Sequence, residues 1–324
     1  MDVLNRFLLS LVFITFISGC TPDKKTVNDL SASSNKIQFK PSDIKAVTGH
    51  TWYLAGVDFK TIPPRDVLIW QPDTTAFSGP YRLLLMHDGQ MLLDSAKTWN
   101  KQAWKVDQTL SRLMLQDSMP PVLLVGVFNI PNRRHSEYFP QKAFNFLDEQ
   151  TQDSLLELNK VQNSSIAQFG FNADNYLAFL VEELIPNITA SFPITGKPIV
   201  GGSSMGGLIS MYAIAEYPEV FEAAMCLSTH WPGMLPAEEN VVAQAFFDYM
   251  KSRIPQAGKH RFYFDFGTET LDRHYPQYQH TVDTIFFNKG FSADNFKNLK
   301  FEGAEHTEKA WSERLNIPLK FLIN

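Results

Sequence analysis

The stretch that decides the fold runs Lys197-Pro198-Ile199-Val200-Gly201-Gly202-Ser203-Ser204-Met205-Gly206-Gly207-Leu208-Ile209-Ser210-Met211-Tyr212-Ala213. Lys197–Val200 is a short apolar run that reads as a strand, and Gly207–Tyr217 reads as a helix. Between them stands Gly202-x-Ser204-x-Gly206, a nucleophile-elbow pattern in the strand–turn–helix setting that such a turn requires. The sharp turn brings neighbouring backbones together, so glycine is expected to be obligatory at both flanks. Ser204 is left exposed at a helix N-terminus, where free N–H groups and the helix dipole favour developing negative charge. Ser203 has the wrong spacing for that place.

Outward from this turn, short apolar runs alternate with helical patterns. Arg65–Trp70, Tyr81–Met86, Val122–Val127, Ala223–Leu227, Arg261–Phe266 and Leu299–Phe301 read as strands. Val106, Leu110, Leu113 and Met114 repeat with the period of an amphipathic helix, as do Tyr176, Phe179, Leu180 and Leu184. Nearly continuous apolar strands separated by helices predict an α/β fold, a mostly parallel sheet covered on both faces. In such sheets ligands bind beyond the carboxyl ends of the strands, so chemistry belongs immediately after each apolar run.

An elbow serine needs a base, and in this arrangement the chain order is serine, acid, histidine. Of eight histidines, His306 alone follows the last strand, in Glu302-Gly303-Ala304-Glu305-His306-Thr307-Glu308. The acid belongs on the loop after Arg261–Phe266, which reads Gly267-Thr268-Glu269-Thr270-Leu271-Asp272. Two carboxylates compete there: Asp272 is the first choice and Glu269 the alternative. For an oxyanion hole, one donor is the N–H of Met205. The other is the N–H of Gly89 or Gln90 in the loop His87-Asp88-Gly89-Gln90, where Gly89 is expected to let the backbone approach a substrate. His87 and Asp88 read as loop-stabilising rather than reactive.

The chain has 324 residues, 44% hydrophobic and 19% charged, enough for one large core. A net charge of −5 supplies no basic excess to release phosphate counterions, which argues against nucleic acid as a partner. Two cysteines, Cys20 and Cys226, cannot build a disulfide framework, and CxxC pairs, HExxH and Walker-A patterns are absent. No metal or cofactor is called for. Phe7–Gly19 is an apolar run of signal-peptide length, too short to span a bilayer at roughly 20 residues. It ends Ile17-Ser18-Gly19-Cys20, which resembles the lipobox of bacterial lipoproteins. That resemblance implies cleavage before Cys20, lipid attachment there, and a protein held on the outer membrane or its periplasmic side. Residues 20–45 are polar and aperiodic and read as a tether, leaving 46–324 as a single domain. Nothing demands more than a monomer or weak oligomer.

These pieces together resemble the putative-esterase family of α/β-hydrolases, which includes esterase D, enterochelin esterases and feruloyl or acetyl-xylan esterases. The matching segments are Met86–Gln90, Asn129–Pro140, Gly202–Ala213, Ser228–Trp231, Gly267–Asp272 and His306–Trp311, in family order. The resemblance implies the α/β-hydrolase fold and a triad of Ser204, the acid of the Gly267–Asp272 loop and His306. It implies hydrolysis of a small-molecule, carbohydrate or siderophore ester through an acyl-enzyme. His306-Thr307-Glu308 departs mildly from the family's His-Asn-Glu or His-Ser-Glu context. Arg134, Glu137, Tyr138, His230 and Trp231 follow strands and are candidates for the pocket wall, or else for packing within loops. Two other functions remain open on the same residues: acyl transfer to an alcohol, and a lipid-anchored binding protein without catalysis.

Overall fold

The computed structural model describes residues 39–57, 59–116, 119–234 and 240–323. The expected signal segment, Cys20 and most of the expected tether lie outside them. Nine strands form one sheet: β1 (Lys40–Pro41), β2 (His50–Val57), β3 (Arg65–Gln71), β4 (Arg82–His87), β5 (Val122–Val127), β6 (Ile199–Ser203), β7 (Ala223–Leu227), β8 (Arg261–Phe266) and β9 (Phe296–Lys300). Their spatial order is β1-β2-β3-β5-β4-β6-β7-β8-β9. From β5 to β9 every neighbouring pair is parallel, whereas β1, β2 and β3 run antiparallel to their neighbours. The fold is thus α/β with a mixed, mostly parallel sheet.

The helices in chain order are α1 (Val106–Gln116), α2 (Arg134–Tyr138), α3 (Glu149–Val161), α4 (Ser165–Phe169), α5 (Ala173–Ala178), α6 (Ile185–Ser191), α7 (Met205–Glu216), α8 (Val241–Arg253), α9 (Pro276–Asn288), α10 (Glu308–Arg314) and α11 (Asn316–Ile323). Alternation along each strand sends side chains to two cores. Val67, Leu85, Val125, Val200, Cys226 and Phe264 face the core that α5, α7, α8 and α9 cover. Leu68, Leu84, Leu124, Ile199, Met225 and Tyr263 face the other, covered by α1, α10 and α11. In α1 the periodic residues Val106, Leu110, Leu113 and Met114 are all buried. Each contributes on the order of 1.5–3 kcal/mol relative to exposure. Helix α7, fully apolar up to Ala215 except for Ser210, has no solvent face: one side packs on β6 and β7, and α2 and α8 pack against it as well.

Three expectations need adjusting. β1 and β2 were not legible as strands: β1 has two residues, and β2 (HTWYLAGV) mixes polar and apolar side chains near the sheet's edge. β1 pairs with β2 and Ile44 is buried, so the folded body starts before residue 46 and takes in part of the expected tether. The last strand is β9, not Leu299–Phe301. It is a half-exposed edge strand with no continuous apolar run to mark it. Among the described residues, no helix is long and apolar enough to cross a membrane.

Cys226 is fully buried in β7, and burial pushes its thiol well above the usual range. We predict no modification of Cys226 by an aromatic disulfide reagent in the native protein and stoichiometric modification in denaturant. Rapid modification of native protein would contradict this packing.

Candidate active site

Strand β6 carries the chain up to Ser203, and Ser204 turns it into α7 at φ 58, ψ −122. A non-glycine residue at this φ is strained, at a cost of about 1–3 kcal/mol, and must be held from outside. The end of β7 and the loop after it hold it: the Ser204 N–H donates to the Leu227 carbonyl (2.9 Å), and the His230 N–H donates to the Ser204 carbonyl (3.2 Å). A Cβ at Gly202 would meet the Gly206 backbone at 3.1 Å, a tight contact with backbone that favours glycine there. At Gly206 a Cβ would make only ordinary contacts, 3.5 Å from Asp88 and 3.6 Å from His87. The expectation of an obligatory glycine at both flanks therefore holds on one side only. The second crowded position is Gly207, where a Cβ would lie 2.8 Å from Thr229 Oγ1.

His306 enters from the loop beyond β9. Its Nδ1 lies 2.5 Å from Asp272 Oδ1, and its backbone N–H donates to Thr270 Oγ1 (2.9 Å). The other Asp272 oxygen accepts from Ser228 Oγ (2.5 Å) and from the Gly267 N–H (2.6 Å). Burial pushes the Asp272 carboxyl up. The His306 bond and charge, with the Ser228 and Gly267 donors, outweigh it, and the group is held below its ordinary value. Ser228 Oγ in turn accepts from Trp311 Nε1 (2.9 Å) and Arg314 Nη2 (3.0 Å), and Arg314 clamps the buried Asp265 with two bonds. Glu269 is exposed at the head of the turn Thr270–His274, and its side chain makes no capping hydrogen bond there. Of the two candidate carboxylates, Asp272 meets the histidine and Glu269 does not.

Ser204 and His306 share one cleft of about 890 Å³, with Gln90 and the indoles of Trp99, Trp104 and Trp311 on its walls. Asn100, Gln102 and Asn129 add amide groups to the same walls. The β4 loop forms a short turn in which the Met91 and Leu92 N–H groups bond Asp88 and Gly89. Among the described residues, the N–H groups of Gly89, Gln90 and Met205 take no backbone acceptor. A Cβ at Gly89 would strike the Gly126 carbonyl at 2.5 Å. Glycine is therefore required there for packing against β5. Asp88, at φ 57, is fixed by Arg134 through two bonds (2.8 and 2.7 Å) and by Asn129 (2.6 Å). His87 is buried against Tyr176 (2.8 Å), and burial pushes it down to about 3, so it stays neutral.

A family model described as "Putative esterase" matches residues 63–320. The chain belongs to that family. The chain is also similar to an uncharacterised Bacillus subtilis protein, YbbA, 24% identical over 268 residues that cover 80% of this chain and 92% of the relative. Among solved structures, an enterobactin esterase from Shigella flexneri superposes with a TM-score of 0.56 at 14% identity, over 86% of this chain and 61% of that one. A ferulic acid esterase superposes with a TM-score of 0.57 at 14% identity, over 84% of this chain and 98% of that one. At these identities the likeness is one of fold, and the chain spans about three fifths of the Shigella enzyme.

Within this esterase-family fold the expected pocket residues divide. Arg134 lines the cleft, its charge already matched by Asp88. Glu137, Tyr138 and Trp231 do not line it. Glu137 is buried in a two-bond pair with Arg65 (2.8 and 3.1 Å), Tyr138 packs between His87 and Tyr176, and Trp231 stacks on Phe264. Their place after strands, which suggested the wall, puts them one layer behind it. His230 is half-buried and reaches Tyr275 with Nδ1 (2.9 Å). Sequence reasoning missed Trp99, Trp104, Trp311, Ser228, Arg314 and Tyr275. The indoles were the readable signal, since Trp99 and Trp104 follow the β4 loop and Trp311 follows His306 by five positions.

Two predictions follow from the packing. Glu137→Leu, which strands the buried Arg65 charge, is expected to lower stability by about 3–5 kcal/mol in urea unfolding without a selective rise in KM. A selective KM effect at unchanged stability would put Glu137 in the pocket after all. Gly206→Ala is expected to fold and to unfold within about 1 kcal/mol of the parent, while Gly202→Ala loses considerably more. Equal losses would contradict the one-sided crowding of the elbow.

Proposed function

We propose that this protein hydrolyses carboxylic esters through a covalent acyl-enzyme, with Ser204 as nucleophile, His306 as general base and acid, and Asp272 as the carboxylate that orients His306. The observation that carries the reading is the 2.5 Å contact between His306 Nδ1 and the buried Asp272, made on the cleft that Ser204 lines. A carboxylate only accepts, so the proton on His306 sits on Nδ1 and Nε2 is left bare to take the serine proton. Attack on the ester carbonyl makes an oxyanion. The N–H groups of Met205 and of Gln90 or Gly89 have no backbone acceptor of their own and are the donors assigned to it. His306 then gives its proton to the leaving alcohol, and water repeats the cycle on the acyl group.

The cleft favours an uncharged small-molecule ester with a flat face. Its indoles offer stacking surfaces, its amides offer hydrogen bonds, and its cation Arg134 is already paired. Esters of the kinds for which the similar solved structures are named, enterobactin and ferulic acid, are the first to screen, together with acetylated sugars.

Ser204→Ala is expected to abolish labelling by a fluorophosphonate probe and to lower kcat by on the order of 10³-fold or more, with Ser203→Ala largely active. Asp272→Asn is expected to lower kcat by on the order of 10²–10⁴-fold and Glu269→Gln by less than about tenfold. A dead Ser203→Ala, or the reverse ranking of the carboxylates, would overturn the assignment. For localisation we propose, on Ile17–Cys20 alone, lipid attachment at Cys20 and anchorage to a bacterial membrane. Palmitate labelling should then vanish in Cys20→Ser, and labelling that persists would contradict the anchor.

A further inference from the structure

Asp88, Arg134 and Glu308 line the cleft beside Ser204 and His306, and their charges do not balance. Arg134 and Asp88 pair at 2.7 Å, and the guanidinium fork is filled by the two Asp88 oxygens. Glu308 stands two positions after His306, half-buried, and its Oε2 accepts from Asn100 Nδ2 (2.8 Å). Among the described residues it joins no ion pair, because the basic side chains of the cleft, Arg134 and His306, are taken by Asp88 and Asp272. The lysines nearby face elsewhere. Lys309 shares with Lys101, Lys105 and Glu313 a separate recess of about 290 Å³ that meets the cleft at Gln102. With His306 neutral, the cleft is therefore left with one negative charge in excess. The bond to Asn100 needs only an acceptor, which a glutamine would supply, so it does not account for the charge.

We propose that Glu308 is a specificity-determining residue that turns anionic esters away from the cleft, narrowing the substrates to neutral and cationic esters. The proposal rests on the esterase reading above and deepens it. An ester that carries a carboxylate, phosphate or sulfate brings a second negative charge into a cleft whose arginine has no free fork to offer it. Glu308 then repels it without compensation. The indole walls displace water, which weakens screening and lengthens the reach of that charge. Its field is felt at Arg134: burial pulls that guanidinium down, Asp88 outweighs burial, and Glu308 adds to the same upward push. A cationic ester meets the opposite situation, since both the carboxylate and the faces of the indoles attract it. Glu308 and Lys309, adjacent on α10, thus divide their charges between two depressions, and the reacting one receives the acid.

The test measures kcat/KM on nitrophenyl esters of one acyl chain that ends in a carboxylate (the adipate half-ester), in an isopropyl group of the same shape, or in a trimethylammonium group. Each value is taken as a ratio to the isopropyl ester, so that changes in the triad or in the folded fraction cancel. Glu308→Gln keeps the size and the acceptor for Asn100 and removes only the charge. It is expected to raise the anionic-to-neutral ratio about fivefold, the effect of a unit charge roughly 4 Å away at the dielectric of water, and to lower the cationic-to-neutral ratio by a similar factor. Glu313→Gln changes the net charge equally in the neighbouring recess and is expected to leave both ratios within about twofold, because solvent and salt screen it. In the parent, added salt is expected to raise the anionic-to-neutral ratio, and to raise it less in Glu308→Gln. Ratios that Glu308→Gln leaves unchanged, or moves in the same direction for both ions, would overturn the proposal. An equal response to Glu313→Gln would overturn it too, since the field of the whole chain would then select. Turnover of all three esters by Ser204→Ala would instead refute the nucleophile, whatever the charge ratios show.

Discussion

Asp272 is a carboxylate with no solvent contact, and a charge taken out of water costs several kcal/mol unless donors replace the water. Much of the active site consists of those replacements. Gly267 supplies a backbone N–H, Ser228 a hydroxyl and His306 an imidazole N–H. The hydroxyl is itself held by Trp311 and Arg314, and Arg314 is held by Asp265. Satisfying one buried charge therefore fixes the loop after β8, the exit of β7, the middle and end of α10 and the histidine together. The same donors that keep the carboxylate ionised aim the imidazole into the cleft, so stability and catalytic geometry rest on the same bonds.

Strain collects where these loops meet. Ser204, Ser228 and Thr270 all adopt positive φ, and each is tied by a hydrogen bond to another part of the site. A β-branched residue such as Thr270 pays most for that conformation, and its hydroxyl accepts the His306 N–H. The hydrophobic sandwich of two cores around the sheet supplies the rigidity against which the strain is held. Its parallel register places β4, β6, β7 and β8 so that their carboxyl ends open on one side.

Much of this was legible in the sequence for physical reasons. Interior strands such as Val122–Val127 are buried along their whole length and so are continuous apolar runs. The elbow and the late histidine obey chain-order constraints that survive without coordinates. What escaped was whatever depends on contacts between distant segments. β2 and β9 lie near the sheet edges, half-buried, and carry no strong pattern. The choice between Asp272 and Glu269 turns on which side chain a tight turn sends inward, and three residues of spacing do not reveal that. Glu137 and Trp231 were candidates for the cleft because they follow strands, yet charge pairing with Arg65 and stacking on Phe264 draw them behind it. Tyr275 carried no motif, and its bond to His230 emerges only when β7 and β8 are set side by side.

The central claim is a covalent acyl group on Ser204. The most direct measurement is peptide-level mass spectrometry of enzyme quenched in acid within the first turnover of an activated ester, where deacylation by water has had least time to act. The account predicts the mass of the acyl group on a peptide containing Ser204, with fragmentation placing it on that residue and the adduct lost on a chase without substrate. Turnover that proceeds with no adduct at Ser204, or an adduct on Ser203 or another residue, would contradict it.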